Sequence, residues 1–473
     1  MYSRVASAIN TPWPGFVRLG GCAALALYLV FQTPAASAQS LTEALTRAYS
    51  DNPSLRAARA ELRSVDETVA QALSGWRPTL SAQGDYGRTR AKTQSGLAGL
   101  AVGDREYRNP RRASVSIDQP LFRGGQTVAE TKRAKNNVFA QRAALTDTEQ
   151  TILLDSVRAY ADVFRDQAVL DLAINNEQVL RRQLEATQDR FRVGEVTRTD
   201  VSQAEARYRG TVANRIRSEG QLDITRAAYQ NVIGAVPGDL DRPPMPGNLP
   251  DSKEAVVGAA VKNQPALRRA LFAHRAAEAE VSVAVGGLMP QVSLNGSISD
   301  NEETFSRDSG SNDWTGTVQV QVPLYQAGAQ TASVRERRQR VSQRALQVSE
   351  AQRNAVESAT AAWEALKTAR AQISSFESQI KANELALEGV QQEALVGSRT
   401  VLDILDAEQE LLDSRVSLVT AQRDEVVAAY QVKAAMGQLT AADLGLPVDI
   451  YDVEEHYDEA RNTFWGLGRG EED

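Results

Sequence analysis

Arg192-Val193-Gly194-Glu195-Val196-Thr197-Arg198-Thr199-Asp200-Val201-Ser202-Gln203-Ala204-Glu205 has a counterpart later in the same chain: Leu395-Val396-Gly397-Ser398-Arg399-Thr400-Val401-Leu402-Asp403-Ile404-Leu405-Asp406-Ala407-Glu408. Gly194 matches Gly397, Asp200 matches Asp403 and Ala204 matches Ala407, each pair 203 positions apart. Self-similarity at a fixed offset marks a duplicated architectural unit. Every other segment is read against that duplication.

Working outward, Pro120-Leu121-Phe122 answers Pro323-Leu324-Tyr325, Gly125 answers Gly328 and Gly234 answers Gly437, all at offset 203. Upstream the offset is 212, with Asn52-Pro53 against Gln264-Pro265 and Pro78 against Pro290. The first copy therefore carries about nine extra residues between Pro78 and Pro120, and repeat insertions usually fall in loops. The Gly-rich stretch Ser95 to Asp104 fits that loop. The organisation expected is a leader over 1–38, a first repeat over 39–236, a Pro- and Gly-rich linker over 237–252, a second repeat over 253–439 and an acidic tail over 440–473.

The leader has Arg4 and Arg18 with no acid, then an apolar run from Leu19 to Phe31, then Ala36-Ser37-Ala38. That order is a secretory signal peptide, with the mature chain expected to start at Gln39. The single cysteine, Cys22, lies inside it, so the mature chain holds no thiol for a disulfide or a metal. Net charge is −7, and ten acids against two arginines from Ala441 onward account for it. No basic field remains to attract nucleic acid. The tail itself reads as a solvated, partly disordered extension.

Each repeat alternates between helical and strand patterns. A short helix (Leu41 to Ser50) and a longer one (Ser54 to Trp76) precede a period-two run over 79–90. Further alternating runs follow at about 112–121, 291–300 and 315–324. Strict alternation gives each strand one apolar and one polar face, and ten residues suit a tilted transmembrane strand. Trp76, Phe122 and Tyr325 fall at the helix side of these strands; Tyr107, Phe305 and Trp314 fall at the loop side. Such amphipathic rings favour membrane interfaces. Four strands are half of the roughly eight that close a barrel, so a membrane reading requires several chains, and three supply twelve strands.

Long proline-free patterns follow the strands: Gly124 to Arg190 and about Ala327 to Glu393, each roughly 100 Å as a helix. They return over Thr199 to Ile233 and Thr400 to Met436. In the last, Leu405, Leu412, Val419 and Val426 form one seven-residue line and Ile404, Leu411 and Leu418 another, a coiled-coil pattern with a neighbour on each side. Gly194 and Gly397 interrupt these runs at matching places, where glycine takes positive φ cheaply. Thr197, Thr199 or Thr400 then caps the next helix. The motif is thus the turn at the far tip of each helical hairpin. Asp403 and Asp406 share a helix face, and repeated around a narrow pore they form carboxylate rings that select cations.

In these features the chain resembles the TolC family of outer-membrane channel-tunnels: the two halves, the strand pairs, the Pro-Leu-Phe and Pro-Leu-Tyr strand exits and the Val-Gly tips all occur in order from Leu41 to Leu439. The resemblance implies an internally duplicated α+β membrane protein. It would be a homotrimer with a twelve-stranded outer-membrane barrel continuous with a periplasmic α-helical coiled-coil barrel, in a Gram-negative bacterium. It implies export of proteins or small molecules with a periplasmic adaptor and an inner-membrane ABC exporter or proton-driven pump. It places the selectivity ring at Asp403 and Asp406 and the closing links at Arg399, Thr199 and Asp200, with Arg399 paired to Asp200. One position departs: Ala394 stands where the best-known member has a tyrosine, implying a closed state held by fewer bonds.

Catalysis has little to stand on. His274 and His456 are far apart and read as surface residues, and the sequence has no phosphate loop, metal-ligand cluster or cofactor motif. The rival of another class is a non-membrane periplasmic coiled-coil adaptor or scaffold, which leaves the four alternating strands unexplained.

Overall fold

The computed structural model describes residues 39–94 and 103–466. The expected signal peptide, Cys22, residues 95–102 of the insertion and the last seven residues lie outside them. Each repeat opens with two short helices broken at its Asx/Gln-Pro step: α1 (Leu41–Asp51) and α2 (Pro53–Ser74) in the first, α5 (Lys253–Asn263) and α6 (Pro265–Gly286) in the second. Ser40 and Ser252 cap α1 and α5 by accepting from Glu43 and Ala255 N–H. Pro53 and Pro265 sit at the first position of the next helix, where a missing N–H costs nothing.

Two further pairs of helices dominate the chain. α3 (Gln126–Arg192) and α7 (Ala329–Leu395) have 67 residues each, about 100 Å at 1.5 Å per residue. They return as α4 (Arg198–Ile233) and α8 (Val401–Ala435). α3 and α7 both begin after a left-handed glycine, Gly125 at φ +80° and Gly328 at φ +78°. The same correspondence holds at Gly194 and Gly397 (φ +84° and +79°) and at Gly234 and Gly437 (φ +83° and +73°). Three glycine pairs at offset 203 thus make three identical backbone turns, the structural form of the repeat.

The strands are β1 (Thr79–Tyr86), β2 (Thr89–Gln94), β3 (Gly103–Arg108), β4 (Arg111–Arg123), β5 (Gln291–Glu302) and β6 (Gly310–Gln321). β1, β4, β5 and β6 form one antiparallel sheet in the order β1-β4-β5-β6, open at both edges among the described residues. Three expectations are corrected here. The single run over 79–90 breaks at Gly87-Arg88, and Thr89–Gln94 pairs antiparallel with β3 as a separate two-stranded ladder. The last strand spans 310–321 and not 315–324, because Pro323 has no N–H to give a ladder. β4 extends to Arg123 through a bulge between Pro120 and Phe122, which accommodates the proline.

A fourth correction is the tail. Far from extending into solvent, its described residues fold onto the first repeat. Leu439, Ala441 and Leu446 are buried, and Val448, Tyr451, Val453 and Tyr457 pack on the cluster built by Leu41, Leu45, Leu55, Leu62, Leu153, Val157, Tyr160 and Tyr229. Its helix α9 (Glu455–Asn462) lies on α2. Polar contacts fasten it: Glu454 pairs with Arg142, and the Ala441 N–H donates to Glu149 of α3 at 2.7 Å. Smaller cores sit under α5, α7 and α8 (Val256, Ala359, Leu366, Val432, Met436) and near the tips (Leu180, Ala204, Val401, Leu405).

Candidate functional site

The two tips share one hydrogen-bonding scheme. Gly194 N–H donates to Phe191 O and Glu195 N–H to Arg190 O; Gly397 N–H donates to Ala394 O and Ser398 N–H to Glu393 O. These close the ends of α3 and α7 and reverse the chain. Capping boxes then start α4 and α8. Thr197 and Thr400, not Thr199, are the caps: each offers its N–H and hydroxyl to the aspartate three residues on, Asp200 or Asp403, whose own N–H returns to the threonine Oγ1. Thr199 lies exposed in the first turn of α4.

Asp403 is held below the usual aspartate range, first by the Thr400 N–H, then by the Thr400 hydroxyl, with Arg399 adding to both. It therefore stays charged to lower pH than a free aspartate does. Arg399 turns back on its own hairpin, bonding Glu393 at 2.8 Å and approaching Asp403 at 3.9 Å. Among the described residues, the Arg399–Asp200 pair inferred from the resemblance does not form within one protomer.

Asp406 is already occupied. Its carboxylate lies 2.6 Å from the guanidinium of Arg207, joining α8 to α4. The sequence reading missed Arg207. The signal was present, since Arg207 follows Asp200 by two helical turns and so shares its face, but it has no basic mate in the second repeat, where Glu410 stands. Ala394 is buried, whereas Val193, Leu395 and Val396 at the turns are exposed.

At the other end, the register sorts the sheet into two chemistries. Leu80, Ile117, Gly296 and Gly316 are cross-strand neighbours on one face, as are Ala82, Val115, Ile298 and Trp314. The opposite face carries Ser81, Ser116, Ser297 and Thr315 in one row and Thr79, Asp118, Asn295 and Thr317 in the next. Ser81 and Ser116 hydroxyls meet at 2.8 Å. Apolar residues such as Leu80, Ile298, Trp314, Val318 and Val320 are largely exposed. Trp76, Phe122 and Tyr325 lie where the sheet meets the helices, Tyr107 lies in β3 opposite Arg90 and Phe305 in the β5–β6 turn, all exposed. Trp314 is not at the rim but inside β6, opposite Ile298. Among the described residues no helix is long and apolar enough to cross a membrane.

An open two-faced sheet at one end of two very long helical hairpins, with acid-bearing turns at the other, defines the class of outer-membrane channel-tunnels. The chain belongs to that class by descent: residues 44–235 and 256–438 match the outer membrane efflux protein family, the TolC family of channel-tunnels. It is 34% identical over 434 residues to the outer membrane efflux protein BepC of Brucella suis, covering 92% of this chain and 93% of BepC. It is 24% identical over 442 residues to the proteases secretion protein PrtF of Dickeya chrysanthemi, covering 89% and 93%. The fold matches the solved outer membrane protein VceC of Vibrio cholerae with a TM-score of 0.72 at 20% identity, covering 84% and 96%. The protein is accordingly an outer-membrane channel protein of Gram-negative type with a periplasmic helical part. That membership sets aside the reading as a non-membrane scaffold.

Proposed function

We propose that three copies assemble into one conduit: a twelve-stranded barrel in the outer membrane, continuous with a periplasmic helical cylinder that closes at its tips. The observation that carries this is the sheet. Among the described residues its edges β1 and β6 both lack a partner, one face is apolar and the other is a field of hydroxyls and amides. An exposed edge invites pairing, and inside a bilayer unpaired backbone is not tolerated. Pairing β1 of one copy with β6 of the next satisfies both edges. The apolar face then meets lipid, the Ser/Thr face lines water, and Trp76, Phe122 and Tyr325 mark the periplasmic interface while Tyr107 and Phe305 mark the outer one. Trp314 contributes to the lipid-facing band.

At the tips, Asp403 and Asp406 from three copies make rings of carboxylate that favour cations. Between copies, Arg399 is available to meet Thr199 and Asp200 of a neighbour once it leaves Glu393, and that exchange is the gate latch in this reading. Loosening it lets α7 and α8 untwist. The cargo is exported from the periplasmic side through contact with an adaptor and an inner-membrane ABC exporter or proton-driven pump. Similarity to a named efflux protein and to a named protease secretion protein supports small molecules and proteins alike. Planar-bilayer recording of the purified protein tests the proposal: cation-preferring channels that lose preference in the Asp403→Ala, Asp406→Ala double variant support it, and the absence of any conductance overturns it.

A further inference from the structure

The described part of the C-terminal arm reaches the level of the sheet. α9 runs parallel to α2: His456 Nδ1 lies 3.6 Å from Asp66 and its Nε2 3.9 Å from Glu67, and eight residues on, Phe464 lies under the guanidinium of Arg77 at 4.2 Å. Arg77 also donates to the Thr463 carbonyl at 3.4 Å. The arm thus climbs α2 toward the strands and is fastened at the residue next to Trp76. Gln119 of β4 donates to the Trp76 carbonyl at 3.0 Å, which ties that level to the sheet. There the arm presents its two largest apolar side chains to the outside: Phe464 is 77% and Trp465 96% exposed, beside Trp76 at 47%.

We propose that Phe464 and Trp465 form an aromatic anchor that inserts into the headgroup region of the periplasmic leaflet of the outer membrane, extending the belt marked by Trp76, Phe122 and Tyr325. The inference rests on the reading of the sheet as membrane-spanning and adds a contact that strands alone do not supply. An exposed Trp465 directly after a phenylalanine held by Arg77 fits that boundary, where the rings sit half in hydrocarbon and the cation meets lipid phosphate. The rest of the arm explains why it reaches so far. Leu446, Tyr451 and Tyr457 on the core and Glu454 on Arg142 fix its base, so Phe464 and Trp465 are delivered to one height.

The test uses the full chain with Trp465 as its only tryptophan (Trp13→Phe, Trp76→Phe, Trp314→Phe, Trp363→Phe), reconstituted in phosphatidylethanolamine–phosphatidylglycerol vesicles. Lipid brominated near the headgroup end of the acyl chain should lower Trp465 emission by about half or more and shift it to the blue, as for an interfacial ring. Adding Arg77→Gln should release the arm and reverse most of the quenching. Emission unchanged by bromine overturns the anchor; emission unchanged by bromine yet shielded from acrylamide overturns it in favour of a protein neighbour. A companion chain retaining only Trp314 separates the two levels. If Trp314 is quenched while Trp465 is not, the span stands and the anchor falls; if Trp314 is not quenched, the span itself fails.

Discussion

Replacing Arg207 by glutamine should loosen the tip and expose a hidden charge. Arg207 and Asp406 meet at 2.6 Å, but their side chains are 43% and 52% exposed. Pairs that open to water are worth about 0.2–1 kcal/mol each. In the proposed closed trimer three such pairs would amount to about 0.6–3 kcal/mol, and at about 1.4 kcal/mol per factor of ten this is a roughly threefold to hundredfold shift toward open. Single-channel recording of Arg207→Gln, Asp406→Asn and the double variant forms a thermodynamic cycle. Each single change should raise open probability by a similar factor, and the double should do no more than either. Arg207→Gln alone should also tighten block by multivalent cations, since Asp406 then loses its compensating charge. If the single effects simply multiply in the double variant, the pair does not brace the tip and the reasoning is wrong.

Other consequences are equally checkable. Gly124 has φ +60°, and a Cβ there would lie 2.4 Å from the Gly286 carbonyl; Gly124→Ala should cost about 1–2 kcal/mol for backbone and about 1–3 more for overpacking, read as a lower urea midpoint. Gly125→Ala, at φ +80° with open space around it, should cost the backbone part alone. Burial pushes the Asp66 carboxyl from 3.8 up to about 6, against the pull of Arg142 and His456. A raised folded value means this group stabilises below the unfolded pKa and loses that contribution as pH rises through about 6. Asp66→Asn should therefore flatten that part of the melting-temperature profile between pH 4 and 6 (about two units spanning the shift), and an unchanged slope would rule it out. Thr400→Val removes the hydroxyl that holds Asp403 low, so the acid limb of the cation preference should move to higher pH, seen in reversal potentials taken against pH.

Much of this architecture is legible in the chain because glycine and proline report backbone geometry directly. Gly125, Gly194 and Gly234 and their mates at offset 203 are the residues that turn left-handed, and Asn52-Pro53 and Gln264-Pro265 are the helix breaks. Strand faces follow from period-two alternation, which the register preserves residue by residue. What composition concealed was pairing at a distance. Ten acids suggested a solvated tail, yet the apolar spacing Leu446, Val448, Tyr451, Val453, Tyr457 docks it, and single cations such as Arg142 accept its charge. The tip shows the same limit: Asp406 reads as a free pore carboxylate until α4 brings Arg207 beside it. Arg399 likewise prefers Glu393 of its own hairpin, six residues away, to an aspartate on the other repeat.

The central claim is that β1 and β6 are complementary edges joined between copies. The expected mature chain contains no cysteine, so introduced pairs report cleanly. Ser81→Cys on β1, combined in turn with Thr315→Cys, Thr317→Cys or Gln319→Cys on β6, should oxidise at one register in outer-membrane preparations to a covalent ladder ending at three chains. A ladder that stops at two chains, or no intermolecular crosslink at any register, would contradict it.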